Sequence, residues 1–515
     1  MRILSAESMR QVDRKAIDEF GIPSLVLMEN AAIGLADAIA ETYPSARGVA
    51  IFCGPGNNGG DGLALARHLA VRGYHLELCL LAGGRDVSGD SAVQLNICQN
   101  QGLSIREIGP EDVLHNAVEA TRELDLVVDA LFGIGLTRPL EGQYAELVEA
   151  LNRLTLPSLA VDLPSGLSGS RWDIPGPHIE ADLTVTFGAP KVAHIFSPAA
   201  DAVGRVAVAD LGIPTELIDS AEGNLHLMVG EELAIHLMPR PVASHKGDYG
   251  HVLLVAGGVG KAGAAILAAR SAVRSGAGLV TAAVPHEIVQ TVDLGSVESM
   301  TFPLSQTRTG ALQEENARTV KNLSIDKQVL AVGPGLGRDP STEETIRSIV
   351  LDSHLPVVLD ADGVNAFAGH CQQLRKREVE TVLTPHPGEL ARLMATTSTE
   401  VQADRVGAVE KAARETGAYV VLKGHQSLVA SPEGEVFVNP TGNPGMASGG
   451  TGDVLTGLVA GLVGQGYEAL VAAQLGVYLH GLAGDLAAEK VGQTAVSASD
   501  LLDHLPAAFE LLAQE

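Results

Sequence analysis

Two short stretches concentrate side chains and backbone able to do chemistry. Residues 54–62 read GPGNNGGDG and residues 443–457 read NPGMASGGTGDVLTG, each glycine-rich with a single acid, Asp61 in one and Asp453 in the other. Glycines let backbone amides approach a ligand closely, and an aspartate beside them can move a proton. The first stretch follows the strand-like GVAIFC and precedes the helix-like LALARHLAVRG. The second opens a long apolar helical run, which a flexible tether would not do. Both therefore read as loops feeding a helix start, where amides and the helix dipole hold an anion.

More candidates sit at neighbouring strand ends. DALFGIGLTRPL offers Asp129, Gly133, Gly135 and Arg138, and VDLPSGL offers Asp162 and Ser165. In a parallel sheet such loops converge at the carboxyl edge. Three acids and an arginine beside free amides suit a polar, phosphate-bearing ligand with acid–base work on part of it. The oxygens of Asn58, Asp129 and Ser165 also suit a hard cation rather than zinc. A helix cap or turn is an equally open reading for Asp129 or Asp162 taken alone. Later in the chain, VVLKGHQSLVA places Lys423, Gly424 and Ser427 in a strand–turn–strand suited to a nucleotide phosphate. GPGLG, LDADGVN and TPHPGEL are further strand-end loops, with Asp360 and Asp362 readable as caps or as functional acids. GxGxxG occurs at Gly54/Gly56/Gly59 and at Gly258/Gly260/Gly263. With 58 glycines, about one such match arises by chance, so the spacing alone carries nothing.

The elements that must position these residues alternate. Two helices fill the first 45 residues, and then GVAIFCG, HLELCLLAG, LDLVVDALFG, SLAVDLPSG and DLTVTFG alternate with helical segments. That rhythm predicts a mostly parallel sheet covered by helices. It breaks between 212 and 245, where the boundary is placed so that residues 1–222 and 223–515 form two domains. A second α/β series follows from GHVLLVAGG, and no internal repeat joins the halves. The 515 residues, 46% hydrophobic, suffice for two cores. A formal charge of −27 disfavours nucleic acid as a partner. Four cysteines without CxxC spacing indicate a reducing cytoplasm. The N-terminus lacks a signal-peptide core, and the apolar run 454–484, broken by Gln465, Glu468 and His480, reads as buried helices rather than a membrane span.

The later loops resemble the ribokinase-like superfamily, in which a GxGD loop forms an anion hole with its aspartate as base. HKGDYGHVLLVAGG, GPGLG, LDADGVNA, LTPHPGE, VLKG and NPGMASGGTGDVLTG are similar to the ADP-dependent NAD(P)H-hydrate dehydratase family. MRQVDRKAI, LMENA, GPGNNGGDG, DALFGIGL and VDLPSGL are similar to NAD(P)H-hydrate epimerase, its usual fusion partner. The resemblance implies an N-terminal Rossmann-like three-layer sandwich, then a ribokinase-like α/β domain. The first would interconvert the R and S hydrates of NADH and NADPH; the second would dehydrate the S hydrate with ADP, releasing AMP and phosphate. It further implies that Asn57, Asn58, Gly59, Gly60, Asp61, Gly133, Ile134, Gly135, Leu136, Thr137, Arg138, Pro139 and Asp162 bind the hydrate in the epimerase. Asp162 would be its acid or base, and Asn58, Asp129 and Ser165 would hold potassium. In the dehydratase, Ala264, Gly335, His386 and Asp453 would meet the hydrate, with Asp453 as base. Lys423, Gly424, His425, Gln426, Ser427 and Gly452 would hold the nucleotide, with Mg2+. Ser448 stands where threonine is at least as usual in the family, and Arg138 where some members carry lysine. A homo-oligomer, small-molecule partners and no membrane are expected. The alternative is a ribokinase-like small-molecule kinase fused to a dinucleotide-binding sensor; His386, where related vitamin kinases tend to carry asparagine, counts against it.

Overall fold

The run GVAIFC is buried along its whole length, as a strand covered by helices on both faces must be. In the computed structural model, which describes residues 1–81, 87–109, 111–136 and 138–515, the chain divides into two compact units, Met1–Gly223 and Asn224–Glu515.

In unit 1 a two-residue strand, β1 (Arg2–Ile3), precedes the helices Ala6–Asp18 and Ser24–Thr42. The sheet strands are β2 (Gly48–Cys53), β3 (His75–Leu80), β4 (Ile105–Glu107), β5 (Leu126–Ala130), β6 (Ser158–Val161), β7 (Leu183–Phe187) and β8 (Arg205–Ala209). They lie parallel in the order β4-β3-β2-β5-β6-β7-β8. Alternation along β2 separates two cores. Val49, Ile51 and Cys53 pack with Met9, Leu35 and Leu65, whereas Ala50 and Phe52 pack with Leu114, Leu147 and Val148. Helices thus cover both faces, giving a three-layer sandwich. The chain reverses direction across the sheet between β2 and β5. Their carboxyl ends carry GPGNNGGDG and DALFGIG, so both motifs flank the crevice this topology opens.

Unit 2 contains β9 (Leu225–Leu227), β10 (His251–Val255), β11 (Leu279–Pro285), β12 (Met300–Leu304), β13 (Val329–Val332), β14 (Val357–Leu359), β15 (Thr381–Leu383), β16 (Tyr419–Leu422), β17 (Leu428–Ala430) and β18 (Val436–Val438). Their order is β9-β18-β17-β16-β15-β14-β13-β10-β11-β12, parallel from β16 to β12 and antiparallel at β16–β17 and β17–β18. The order reverses between β10 and β13, placing GPGLG at that crevice. The helices Ala262–Arg274, Thr451–Gly464, Ala469–Val491 and Ala498–Leu512 share one core with the sheet. Ala469–Val491 is long and apolar enough to cross a membrane, but 67% of its most apolar window is buried inside the unit, as expected of a core helix.

Backbone proximity sets the packing of the helix that carries Asp453. A Cβ on Gly457 would lie 2.0 Å from Ala268 O and one on Gly461 1.8 Å from Ser275 Oγ. Ser271 Oγ donates to Val454 O at 2.6 Å across the same contact. Gly457→Ala should therefore destabilise unit 2 by about 1–3 kcal/mol through overpacking. Gly263→Ala, at a helical site with nothing within 4 Å of the added carbon, should be neutral or stabilising by up to about 1 kcal/mol. Urea melts of the two variants check this, and equal effects would refute it.

Candidate active sites

In unit 1, close backbone approach builds the site before any side chain acts. A Cβ on Gly54 would fall 2.0 Å from Leu131 O, and one on Gly59 1.8 Å from Gly54 O. Only glycine lets the loop after β2 press against the loop after β5 while the helix Asn57–Val71 starts at once. Gly60 packs on Met28 and Ser91, so Gly59 and Gly60 shape the loop from beneath. The cavity above, about 800 Å³, is lined by Asn57, Asn58, Asp61, Gly133, Ile134, Gly135, Leu136, Arg138, Pro139 and Asp162. Thr137 lies outside the described residues. A volume of this size suits a nucleotide-sized ligand.

Asp162 follows β6 with φ +63°, a left-handed backbone uncommon for a non-glycine residue. The backbone turns the acid back onto β7. There Lys191, 1% exposed, donates from Nζ to Asp162 Oδ1 at 2.8 Å, to Thr186 Oγ1 at 2.8 Å and to Phe187 O at 3.0 Å. Thr186 Oγ1 donates to the same carboxylate oxygen at 2.9 Å. Burial pushes the Asp162 carboxyl up, but the Lys191 charge and these hydrogen bonds outweigh it and hold the acid below its usual value. Asp162 is therefore ionised at neutral pH. His194 is driven down to about 4 by burial and then by Lys191, so its neutral ring donates from Nε2 to Asp162 O at 2.8 Å.

Asp129 and Ser165, 1% and 0% exposed, lie below the cavity rather than in its lining. Ser165 Oγ donates to Asp129 Oδ1 at 2.6 Å, Ser165 N to Oδ2 at 2.7 Å, and Phe132 N to Ser165 Oγ at 2.8 Å. Asn58 Oδ1 lies 2.8 Å from where a Gly133 Cβ would be, and Asn58 Nδ2 is buried without a partner among the described residues. The three candidate cation ligands are thus gathered around residues 132–133.

In unit 2 the helix Thr451–Gly464 begins at Gly450, whose φ of +95° favours glycine, and Asp453 occupies the first turn. Gly452 is the contact point. A Cβ there would stand 3.2 Å from Lys423 Nζ and 3.8 Å from Asp360 Oδ2. Lys423 Nζ donates to Asp360 Oδ1 at 2.6 Å and Thr456 Oγ1 to Asp360 Oδ2 at 2.7 Å. Lys423 is thus part of a buried polar network. Burial would lower its ammonium's pKa, but Asp360 and Glu389 raise it overall. Asp453 is pushed up to about 7, by burial and then by the Asp360 charge, with Lys423 only partly offsetting them.

The other predicted residues of this unit surround that centre. Gly335, φ +72°, approaches Ala264, and Gly337 N donates to Asp362 Oδ2 at 2.7 Å. His386 caps the helix Pro387–Leu393, with Nδ1 accepting from Gly388 N at 3.0 Å, and half of its side chain is exposed. Burial, then Lys423, lowers its ring, leaving it neutral. Ser427 Oγ donates to Gly424 O at 3.1 Å, and the Arg405 guanidinium donates to His425 O and Gln426 O.

Several of these partners carry no sequence signal. Lys191, Thr186, His194 and Arg405 meet their targets only through the fold, as does Thr456 although it stands in a quoted loop; Lys191 could be singled out only as a charge in the loop after a wholly buried strand. His480 belongs with them, donating from Nε2 to Thr451 O at 2.8 Å in the anion loop.

Comparison with known proteins is consistent across the chain. Residues 24–193 match the model of the family described as YjeF-related protein N-terminus, and residues 252–507 that described as NAD(P)H-hydrate dehydratase. The bifunctional NAD(P)H-hydrate repair enzyme Nnr of Moorella thermoacetica is 44% identical over 518 residues, covering 100% of this chain and 98% of the relative. The enzyme of the same name from Thermofilum pendens is 36% identical over 515 residues, covering 100% and 97%. Among solved structures, the ADP/ATP-dependent NAD(P)H-hydrate dehydratase of Bacillus subtilis, co-crystallised with ATP/Mg2+, is 31% identical with a TM-score of 0.50. It covers 56% of this chain and all of its own.

The charge state of Asp453 has a stability consequence with a definite sign. Its folded pKa, about 7, lies above the ordinary aspartate value of 3.8. The folded state therefore binds the proton more tightly, and stability falls as pH rises from about 4 to about 7. Asp453→Asn removes that cost. The variant should match wild type near pH 4 and exceed it at pH 8 by about 1–3 kcal/mol, after allowing for partial solvation. Urea melts at the two pH values test it, and a less stable variant at pH 8 would refute it.

Proposed function

The chain belongs to the family of bifunctional NAD(P)H-hydrate repair enzymes, and from that premise we propose that it restores hydrated NADH and NADPH at two sites acting in series. Unit 1 interconverts the R and S hydrates, and unit 2 dehydrates the S hydrate at the expense of ADP, releasing AMP and phosphate. The observation that carries the reading is that each unit holds its own acid at the carboxyl edge of its own sheet, in opposite charge regimes. Asp162 is fixed ionised by Lys191, whereas Asp453 titrates near 7.

The hydroxyl of the hydrate is a poor leaving group, and transfer of a phosphoryl group makes it a good one. Asp453, when ionised, takes the hydroxyl proton as oxygen attacks the terminal phosphorus of ADP and the bond to AMP breaks. Amides at the start of Thr451–Gly464 and the Lys423 ammonium stabilise charge on the group in transit. The ring nitrogen's lone pair then expels phosphate, and loss of a proton from the neighbouring carbon restores the dihydropyridine. Gly424, His425, Gln426 and Ser427, pinned by Arg405, would hold the nucleotide, and Ala264, Gly335 and His386 the hydrate.

Two ions fit the residues present. Asn58, Asp129, Ser165 and the nearby backbone form an all-oxygen set with a single carboxylate, suited to a weakly charged hard cation such as potassium. Bound there, it would fix the loops after β2 and β5 against each other. Among the described residues, no group of three or more acids, histidines or cysteines is arranged to hold a metal ion. Mg2+ in unit 2 would accordingly be held chiefly by nucleotide phosphates. We place the activity in the cytoplasm, with small-molecule partners only and a homo-oligomeric assembly.

The test is recovery of absorbance at 340 nm from an equilibrated mixture of NADH hydrate epimers with ADP, Mg2+ and K+. Wild type should restore both epimers; Asp453→Asn should lose at least about 100-fold in rate, and Asp162→Asn should slow one epimer alone. The dehydration rate should rise with pH and level off above about 7, as Asp453 becomes ionised. No recovery with ADP or ATP would overturn the repair reading.

A further inference from the structure

The cavity of unit 1 is also lined by an acid outside the glycine-rich loops, Asp13 of the MRQVDRKAI stretch. Asp13 stands on the helix Ala6–Asp18, one turn after Arg10, and the two face the same cavity. Arg10 Nη2 donates to Ile134 O at 2.9 Å, tying that helix to the 133–139 loop. Asp13 Oδ1 is buried and has no hydrogen-bond partner among the described residues. An unpartnered buried carboxyl oxygen costs folding free energy, so one that persists beside a cavity indicates a group kept for a ligand.

The charges around Asp13 are mixed. Lys191 and Asp162 face it from the segments after β7 and β6, Asp61 from the helix Asn57–Val71, and Arg10 from its own helix. Burial pushes Asp13 up to about 6, with Lys191 lowering it and Asp162 raising it. Asp61 is also raised well above its usual value, by burial first and then by Asp162 and Asp13. Asp162 goes the other way. Two carboxyls in one cavity whose surroundings separate their proton affinities are the signature of an acid and a base.

The reaction needs such a pair. A dihydropyridine double bond beside the ring nitrogen is an enamine, so hydration puts hydrogen on the remote carbon and hydroxyl on the carbon next to nitrogen. Inverting that carbon requires the C–O bond to break on one face and to form on the other. The hydroxyl leaves as water once protonated, while the nitrogen lone pair makes a C=N bond. Water then adds from the opposite face and gives up a proton.

We propose that Asp13 is a second catalytic residue of the epimerisation, donating a proton to the departing hydroxyl while Asp162 accepts one from the water that returns. Exchange with cavity water resets the pair between turnovers, so no proton is gained or lost overall. This rests on the epimerase reading of unit 1.

The test uses the full chain without nucleotide, so that dehydration is silent. It starts from one NADH hydrate epimer and follows the other by chromatography. Asp13→Asn should lower kcat by at least about 100-fold with KM changed by less than about threefold. Wild-type kcat should fall on the alkaline side as Asp13 loses its proton, and Asp13→Asn should lack that limb. Asp13→Glu should recover part of the rate with the limb displaced, and it carries the test if Asp13→Asn does not fold. The assignment is overturned if Asp13→Asn keeps its rate within about threefold with the limb intact, if the loss lies wholly in KM, or if Asp61→Asn alone abolishes turnover. Absence of interconversion by wild type would overturn the epimerase reading and this assignment with it.

Discussion

Each unit keeps one lysine ammonium against one buried aspartate, and the acid–base character of its site depends on which aspartate that is. In unit 1 the lysine pairs with the acid that faces the cavity, Lys191 to Asp162 at 2.8 Å. In unit 2 it pairs with a neighbour, Lys423 to Asp360 at 2.6 Å. Removing one partner of such a pair leaves an uncompensated buried charge, so neither lysine can be spared for packing reasons alone. The consequence for the acids is opposite. Asp162 is held ionised at neutral pH, and Asp453, facing the Asp360 charge with only part of Lys423's attraction, titrates near 7. The same two residue types thus yield an ionised carboxylate in one unit and a pH-poised one in the other.

That electrostatic arrangement is possible because backbone, not side chain, fills the space around it. Gly54 and Gly59 in unit 1, and Gly452 in unit 2, each sit where a Cβ would strike a neighbouring carbonyl or crowd the lysine. With the side chains absent, amides and carbonyls come within reach of the ligand space. The helix Thr451–Gly464 extends the same principle inward, with Gly457 and Gly461 allowing it to lie on Ala262–Arg274. The position of Asp453 is therefore set from the buried end of its helix as well as from its loop.

Legibility in the sequence follows the distance over which a residue's role is decided. Asn58, Asp61, Gly133 and Asp453 belong to contiguous loops between a strand and a helix, and such loops advertise themselves through glycine and a lone acid. The long apolar strands β2, β5, β7 and β13 were equally plain, because both of their faces are buried. The short edge strands β4 and β8, part-exposed, carry no such pattern and went unread. Thr456 reaches Asp360 across 96 positions, and Lys191 reaches Asp162 across 29. No local signal marks either contact. Asp13 stands in the quoted MRQVDRKAI, but on an amphipathic helix where Arg14, Lys15 and Asp18 face solvent, so nothing local sets it apart from them.

The two sites, taken in series, impose opposed demands on the proton. With Asp453 as the proposed base, dehydration would need that residue without its proton and would weaken below about 7. Epimerisation, with Asp13 as its acid, needs that residue protonated and so weakens above about 6. An epimer that must pass through both sites is therefore repaired fastest where the two requirements overlap, between those values. On these proposed roles Asp453 would limit the flux on the acid side and Asp13 on the alkaline side. The epimer that enters unit 2 directly escapes the second limit, so its repair has no alkaline limb from this source. Differences between the two epimers in the pH dependence of overall repair then reflect one residue in unit 1, without any change in the chemistry of unit 2.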